Sequence, residues 1–280
     1  WLDAPIGVLI DANGDIYVLD NNRSIIKVFD SDRFYKYTIG QESESWPPPQ
    51  DNEHFRSPRA MALDGLNTLY VADTDNNRVQ KCTRPDAASE TWTCARFAGN
   101  EFQGGSWPVQ YPSGVAVDAQ HNVYISDSSY HHVFFYTAEG RLISRIGANW
   151  GSGEYEFKNP SNIVFDPQGA LYVADRDNHR IQKFIPEIET IETVSQIGGS
   201  SKAVALLNGD TALVWKGAAL QVVDISVDPP VEIAITQPTT DNILDIAVYQ
   251  NTAYALSEYN GLYIYDVSDP TMPVFQTLFT

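Results

Sequence analysis

An all-β chain built from repeated four-stranded units is predicted by three observations. Short β-branched and aromatic runs such as Val115-Ala116-Val117 and Val123-Tyr124-Ile125-Ser126 flank polar turns, no segment sustains a helical apolar period, and one pattern returns at a fixed spacing. With Pro5, Pro58, Pro112 and Pro160 as origins, Asp11, Asp64, Asp118 and Asp166 share one offset. Tyr17, Tyr70, Tyr124 and Tyr172 share a second, and Asp20, Asp73, Asp127 and Asp175 a third. Ile26, Val79, Val133 and Ile181 also align, and Phe29, Cys82, Tyr136 and Phe184 close each unit. A period of about 50 residues is that of a propeller blade, too long for small helical or leucine-rich repeats.

Each element follows from local chemistry. After the first strand of a unit, Asp11 to Gly14 and Asp166 to Gly169 pair a carboxylate that accepts turn N–H groups with a glycine free to take positive φ. Asn67 substitutes for that glycine in the second unit, and in the third, where His121 fits the position poorly, Asn122 is expected to be left-handed. The second strand carries the recurrent Tyr and ends at Asp20, Asp73, Asp127 or Asp175, and the third ends at the closing apolar residue.

These residues resemble the NHL repeat, most closely in Tyr70-Val71-Ala72-Asp73 leading to Asn77-Arg78-Val79 and Tyr172-Val173-Ala174-Asp175 leading to Asn178-His179-Arg180-Ile181. In the first and third units the Arg position holds Ile25 and His132, so an Asp–Arg pair across the turn is not expected in every blade. Gly151-Ser152-Gly153-Glu154-Tyr155-Glu156-Phe157 before Pro160 is similar to the connection that precedes an NHL blade, with Phe55 before Pro58 a reduced version. From about residue 200, Leu220-Gln221-Val222-Val223-Asp224-Ile225-Ser226 and Leu262-Tyr263-Ile264-Tyr265-Asp266-Val267-Ser268 repeat at about 40 residues and resemble the LVIVD repeat. Its last unit reads as strands at 243–248, 252–257, 262–267 and 274–279. Four NHL-like blades (1–200) and two LVIVD-like blades (201–280) imply one all-β domain over 1–280, a six-bladed β-propeller of four-stranded antiparallel blades. The ring is expected to close by side-chain packing between first and last blades without terminal strand exchange. The apolar segment Val274 to Phe279 then serves as an outer strand or as an edge for intermolecular pairing.

Composition narrows the function classes. The 280 residues are 43% hydrophobic and 19% charged, the balance of a packed globular protein. Eighteen Lys and Arg against 36 Asp and Glu give a net charge of −18, which repels phosphate backbones and anionic headgroups. Nucleic acid and membrane insertion are therefore not expected, the latter also because no run approaches ~18 apolar residues. That charge also opposes the RNA binding known among NHL proteins. Trp1 onwards shows no basic and apolar leader, so the chain reads as a mature or excised piece.

No convergent catalytic set emerges. His131 and His179 sit at equivalent turns, but each also reads as a polar turn residue, and no metal site is assigned. Asp73, Asp127 and Asp175 recur once per blade, as a structural carboxylate does. Asp73-Thr74-Asp75-Asn76-Asn77 and Asp175-Arg176-Asp177-Asn178 offer oxygen ligands without EF-hand spacing, so no cofactor is expected beyond one calcium ion as the competing reading. Cys82 and Cys94 lie in one hairpin, where a disulfide or two buried thiols can form. A disulfide places the protein in an oxidising, extracellular or cell-surface setting, and Asn22-Arg23-Ser24 is a glycosylation sequon on a turn.

The irregular residues gather in linkers and second-to-third-strand turns, which share one face of a propeller. Trp46, Trp107, Trp150, Tyr155, Tyr130, His131 and His179 make up the candidate binding face, either for recognition or as local packing over the blades. The expected function is a non-catalytic binding scaffold for a protein or carbohydrate partner, or a self-assembling module of a surface filament or adhesin. The alternative is a metal-dependent lyase or hydrolase with its site in the central channel.

Overall fold

The computed structural model describes residues 2–43, 51–65, 67–99, 109–147, 150–186, 191–198, 201–216, 219–227, 230–236, 243–258 and 260–279. Blade 1 contains β1 (Pro5–Ile10), β2 (Ile16–Asp20), β3 (Ile25–Phe29) and β4 (Tyr35–Ile39). Blade 2 contains β5 (Ala60–Asp64), β6 (Thr68–Asp73), β7 (Arg78–Thr83) and β8 (Thr93–Gly99), and blade 3 β9 (Pro112–Val117), β10 (Val123–Asp127), β11 (His132–Tyr136) and β12 (Leu142–Ile146). Blade 4 contains β13 (Pro160–Phe165), β14 (Leu171–Asp175), β15 (Arg180–Pro186) and β16 (Ile191–Gly198). Blade 5 is β17 (Ser201–Asn208), β18 (Thr211–Lys216), β19 (Ala219–Asp224) and β20 (Val231–Ile235). Blade 6 is β21 (Ile243–Tyr249), β22 (Thr252–Ser257), β23 (Gly261–Asp266) and β24 (Val274–Phe279). Every sheet pairs its four strands in sequence order, antiparallel throughout, as the repeats predict.

The first strands pack in a ring, β1 on β5, β5 on β9 and so on to β21 on β1. Because side chains alternate along a strand, each blade sends one face to each neighbour. Tyr17 and Leu19 enter the core between blades 1 and 2, whereas Ile16 and Val18 enter that between blades 6 and 1. Six apolar seams result, one per blade junction. Each fully buried Phe-sized side chain contributes roughly 1.5–3 kcal/mol relative to exposure. The seam between blades 6 and 1 holds the fewest buried apolar residues among the described ones, Val8, Ile16, Val18, Leu256 and Leu262, and no strand crosses it. Phe29 and Phe279 meet edge to face there, so closure rests on packing as expected.

The recurrent turns hold their predicted shape in the first and fourth units, with a correction in each of the other two. Gly14 and Gly169 take φ of 85° and 87°, and Asp11 Oδ1 accepts the N–H groups of Asn13 and Asp15. In the third unit His121 itself is left-handed (φ 67°) rather than Asn122. Asn122 instead donates from both its backbone and its side-chain nitrogen to Asp118, which holds it on the strand side of the turn. In the second unit Asn67 does not take the left-handed position expected of it; Gly65, two residues earlier, supplies the positive φ of 67° and bends the turn first.

Candidate functional site

In blades 1 to 4 the described residues just before the first strand are clamped to the carboxylate that ends the second strand. Asp73 Oδ1 accepts the Arg56 N–H, and its Oδ2 accepts from Asn76, Gln80 and the Arg78 Nε at 2.7 Å. Burial pushes the Asp73 carboxyl above the usual carboxylate range, although these donors oppose that shift. Asp175 repeats the arrangement with Lys158, Asn178, Arg180 and Gln182. The Arg78 guanidinium reaches the carbonyls of Asp51 and His54, and that of Arg180 reaches those of Ser152, Gly153 and Glu156. Asp20 and Asp127 hold their linkers through backbone N–H groups alone. In blade 1, where Ile25 replaces the arginine, Arg23 approaches Asp20 only to 3.9 Å. These carboxylates are consumed by the scaffold.

On this frame Trp150 is 63% exposed and its ring lies under Lys158 Nζ at 4.6 Å. Tyr155 is half-buried against Phe184, and Tyr130 is half-buried edge to face with Phe134. His131 and His179 occupy one recurrent left-handed position, with φ of 58° and 53°, shared with Ser24 and Asn77. His131 Nδ1 accepts the Asn159 N–H from the next linker, and burial lowers its pKa. His179 is exposed, as is Asn22 on its turn. Trp46 and Trp107 lie outside the described residues. Phe55 and Phe157 are fully buried in the seams, the local packing their linkers predict.

The sequence reading overlooked a polar contact on the inner strands. Asp245 on β21 accepts the Val8 N–H of β1 at 2.9 Å through Oδ2 and the Asn162 side chain of β13 at 2.7 Å through Oδ1. Its carboxylate keeps a little solvent contact but is enclosed by protein, and burial pushes its pKa up to about 7. The available signal was positional. Gly7, Ala60 and Gly114 share the offset of Asn162 in the repeat, and Asp245 follows a bulge in β21 as Gly7 does in β1. A polar side chain at an offset otherwise filled by Gly or Ala marks a functional or bridging position.

Cys82 and Cys94 oppose each other on β7 and β8 and form a disulfide. No group of three or more His, Cys, Asp or Glu residues that could hold a metal ion occurs among the described residues. No helix among them is long and apolar enough to cross a membrane.

Fold and repeats together define a six-bladed β-propeller. The chain carries NHL repeats at residues 55–82 and 157–184, the second and fourth units, and an LVIVD repeat at 242–280. No curated protein sequence matches it. Among solved structures it is similar to a streptogramin B lyase (TM-score 0.68, 14% identity, 99% of this chain and 84% of that one). It is also similar to a catalytically inactive virginiamycin B lyase from Staphylococcus aureus with quinupristin (0.66, 14%, 97% and 83%). A third similar structure is the RRP9 WD40 repeats (0.65, 11%, 98% and 80%). At these identities the likeness is one of fold.

Proposed function

We propose that this propeller is a non-catalytic extracellular binding scaffold whose linker face engages a protein or glycan partner. The observation that carries the reading is Trp150, held 63% exposed on a linker that Arg180, Asn178 and Asp175 fix to the blade. An aromatic ring on a rigid support offers large contact area at little conformational cost. The Cys82–Cys94 disulfide supports an oxidising compartment. The test compares wild type and Trp150→Ala for retention of the partner that co-purifies with the native protein, with glycan-array binding in parallel. Loss of the partner or glycan in the variant, with unchanged melting, is expected, and identical retention overturns the reading.

Asp245 favours a second reading, a lyase or hydrolase with its site in the channel. A carboxyl with a pKa near 7 has the proton affinity of a general acid or base. Both of its oxygens already accept hydrogen bonds, from Val8 and Asn162, which favours the bridging role. Metal analysis of the purified protein, with a turnover assay on quinupristin, the compound named with the similar virginiamycin B lyase, tests the enzymatic reading, and stoichiometric metal with turnover lost in Asp245→Asn would establish it.

A further inference from the structure

At three blade junctions the residue three positions before the recurrent proline plugs the seam. Phe55 and Phe157 are 0% exposed and Val109 1%, each packed into the core between its blade and the preceding one. At the junction of blades 6 and 1 the same offset falls on Leu2, which is only partly buried. Beside it a cleft of about 720 Å³ opens between the two blades. Its floor is apolar, formed by Leu2, Ile16, Val18, Leu262 and Phe279, and its lining includes the carboxylates Asp3, Glu42 and Glu258 against one cation, Lys27. Glu42 is also bound by Arg23.

The filled junctions show what this cleft accepts. Over blade 4 a linker that turns at Tyr155 (φ 58°) inserts Phe157 while the carbonyl before it, that of Glu156, accepts from Gln182 Nε2 at 2.9 Å. Lys27 stands at the offset of Gln182 and lines the cleft too. We infer that the cleft between blades 6 and 1 is a docking groove for a peptide segment of a partner protein, which inserts one large aromatic side chain at the plug position and carries basic residues beside it. The carboxylates in the lining outnumber its one cation even with Glu42 held by Arg23, and on a protein of net charge −18 this excess selects the basic flanks. The volume lies within the range of ligand pockets, roughly 300–1,000 Å³.

The inference rests on the protein-binding reading above but uses a different surface, so the two fail separately. The probe is a fluorescent peptide copying residues 151–158 with Glu154→Lys and Glu156→Lys. Saturable micromolar binding is expected, weakened about tenfold or more when the peptide carries Phe157→Ala or the protein Asp3→Lys with Glu42→Lys. Thr38→Trp, which fills the groove from β4, is expected to abolish it without a change in melting temperature. Equal binding by the Phe157→Ala peptide or by the Thr38→Trp protein overturns the inference. Binding seen only after Trp1→Ala also overturns it, because the groove then serves the protein's own chain. A native partner kept by Thr38→Trp but lost by Trp150→Ala leaves the scaffold reading standing without the groove, and peptide docking with Trp150→Ala inert leaves the groove without the linker face.

Discussion

Asn162 and Asp245, 83 positions apart in sequence, meet at 2.7 Å and join the innermost strand of blade 4 to that of blade 6, past blade 5. The same carboxylate takes the Val8 N–H of blade 1. One side chain thereby links the blade that ends the chain to the one that begins it, at the junction with the thinnest apolar core. A ring closed without strand exchange gains most from such a polar bridge.

The bridge has a pH signature. The Asp245 carboxyl rises from about 3.8 to about 7 on folding, so between those values the native state binds the extra proton. Stability from this group is therefore full below about pH 4, falls as pH rises towards 7 and is flat above. Asp245→Asn keeps an acceptor and removes the charge, and is expected to exceed wild type by roughly 2–4 kcal/mol at pH 8 while matching it near pH 4. Urea melts at the two pH values check this, and a pH-independent difference would show that charge burial is not the cause.

The Asp73–Arg78 pair is almost wholly buried, with side chains 0% and 3% exposed. Arg78→Leu strands the carboxylate and leaves the carbonyls of Asp51 and His54 without their donor. A loss of about 3–5 kcal/mol is expected. Arg180→Leu is expected to cost less, since that side chain is 11% exposed and water can take its place. Denaturant titration of both variants orders the two effects.

The plug residues give a third expectation. Phe157→Ala removes a fully buried ring that packs against Phe184 at 5.8 Å between centroids, and should cost about 3–5 kcal/mol. Leu2→Ala, at the same offset but beside the open groove, should cost less than half as much, because solvent already reaches that site. Similar losses from the two would mean that the junction of blades 6 and 1 is as tightly filled as the others.

Much of this architecture was legible because it repeats. Tyr17, Tyr70, Tyr124 and Tyr172 share an offset and are all buried, and Asp20, Asp73, Asp127 and Asp175 share the linker-holding role. A repeat screen finds what each blade needs and passes over what happens once. Asp245 and Asn162 interact only after the ring closes, and no local pattern encodes a distance across it. The groove was hidden for the same reason, since an unfilled junction becomes visible only beside filled ones. His121 was misjudged because residue preference was weighed without the two bonds that fix Asn122 to Asp118.

The disulfide carries the last expectation. Cys82 faces Cys94, 12 positions away in sequence, across the β7–β8 ladder, and Cys82 packs at 0% exposure into the core between blades 1 and 2. Loss of a loop closure of this length frees about 3 kcal/mol of denatured-state entropy. The long β7–β8 hairpin is tied besides by Arg84, which reaches the Ser89 carbonyl and the Tyr37 hydroxyl and stacks on Trp92, and by Asp86, which accepts the N–H groups of Ala88 and Ser89. Cys82→Ala with Cys94→Ala is therefore expected to lower stability by about 3 kcal/mol, roughly 6–10 °C in melting temperature. Because the bond also compacts the unfolded chain, the variant's denaturant slope should rise. Free thiols at both positions in freshly isolated protein would remove the bond from the native molecule, and with it the argument for an oxidising compartment.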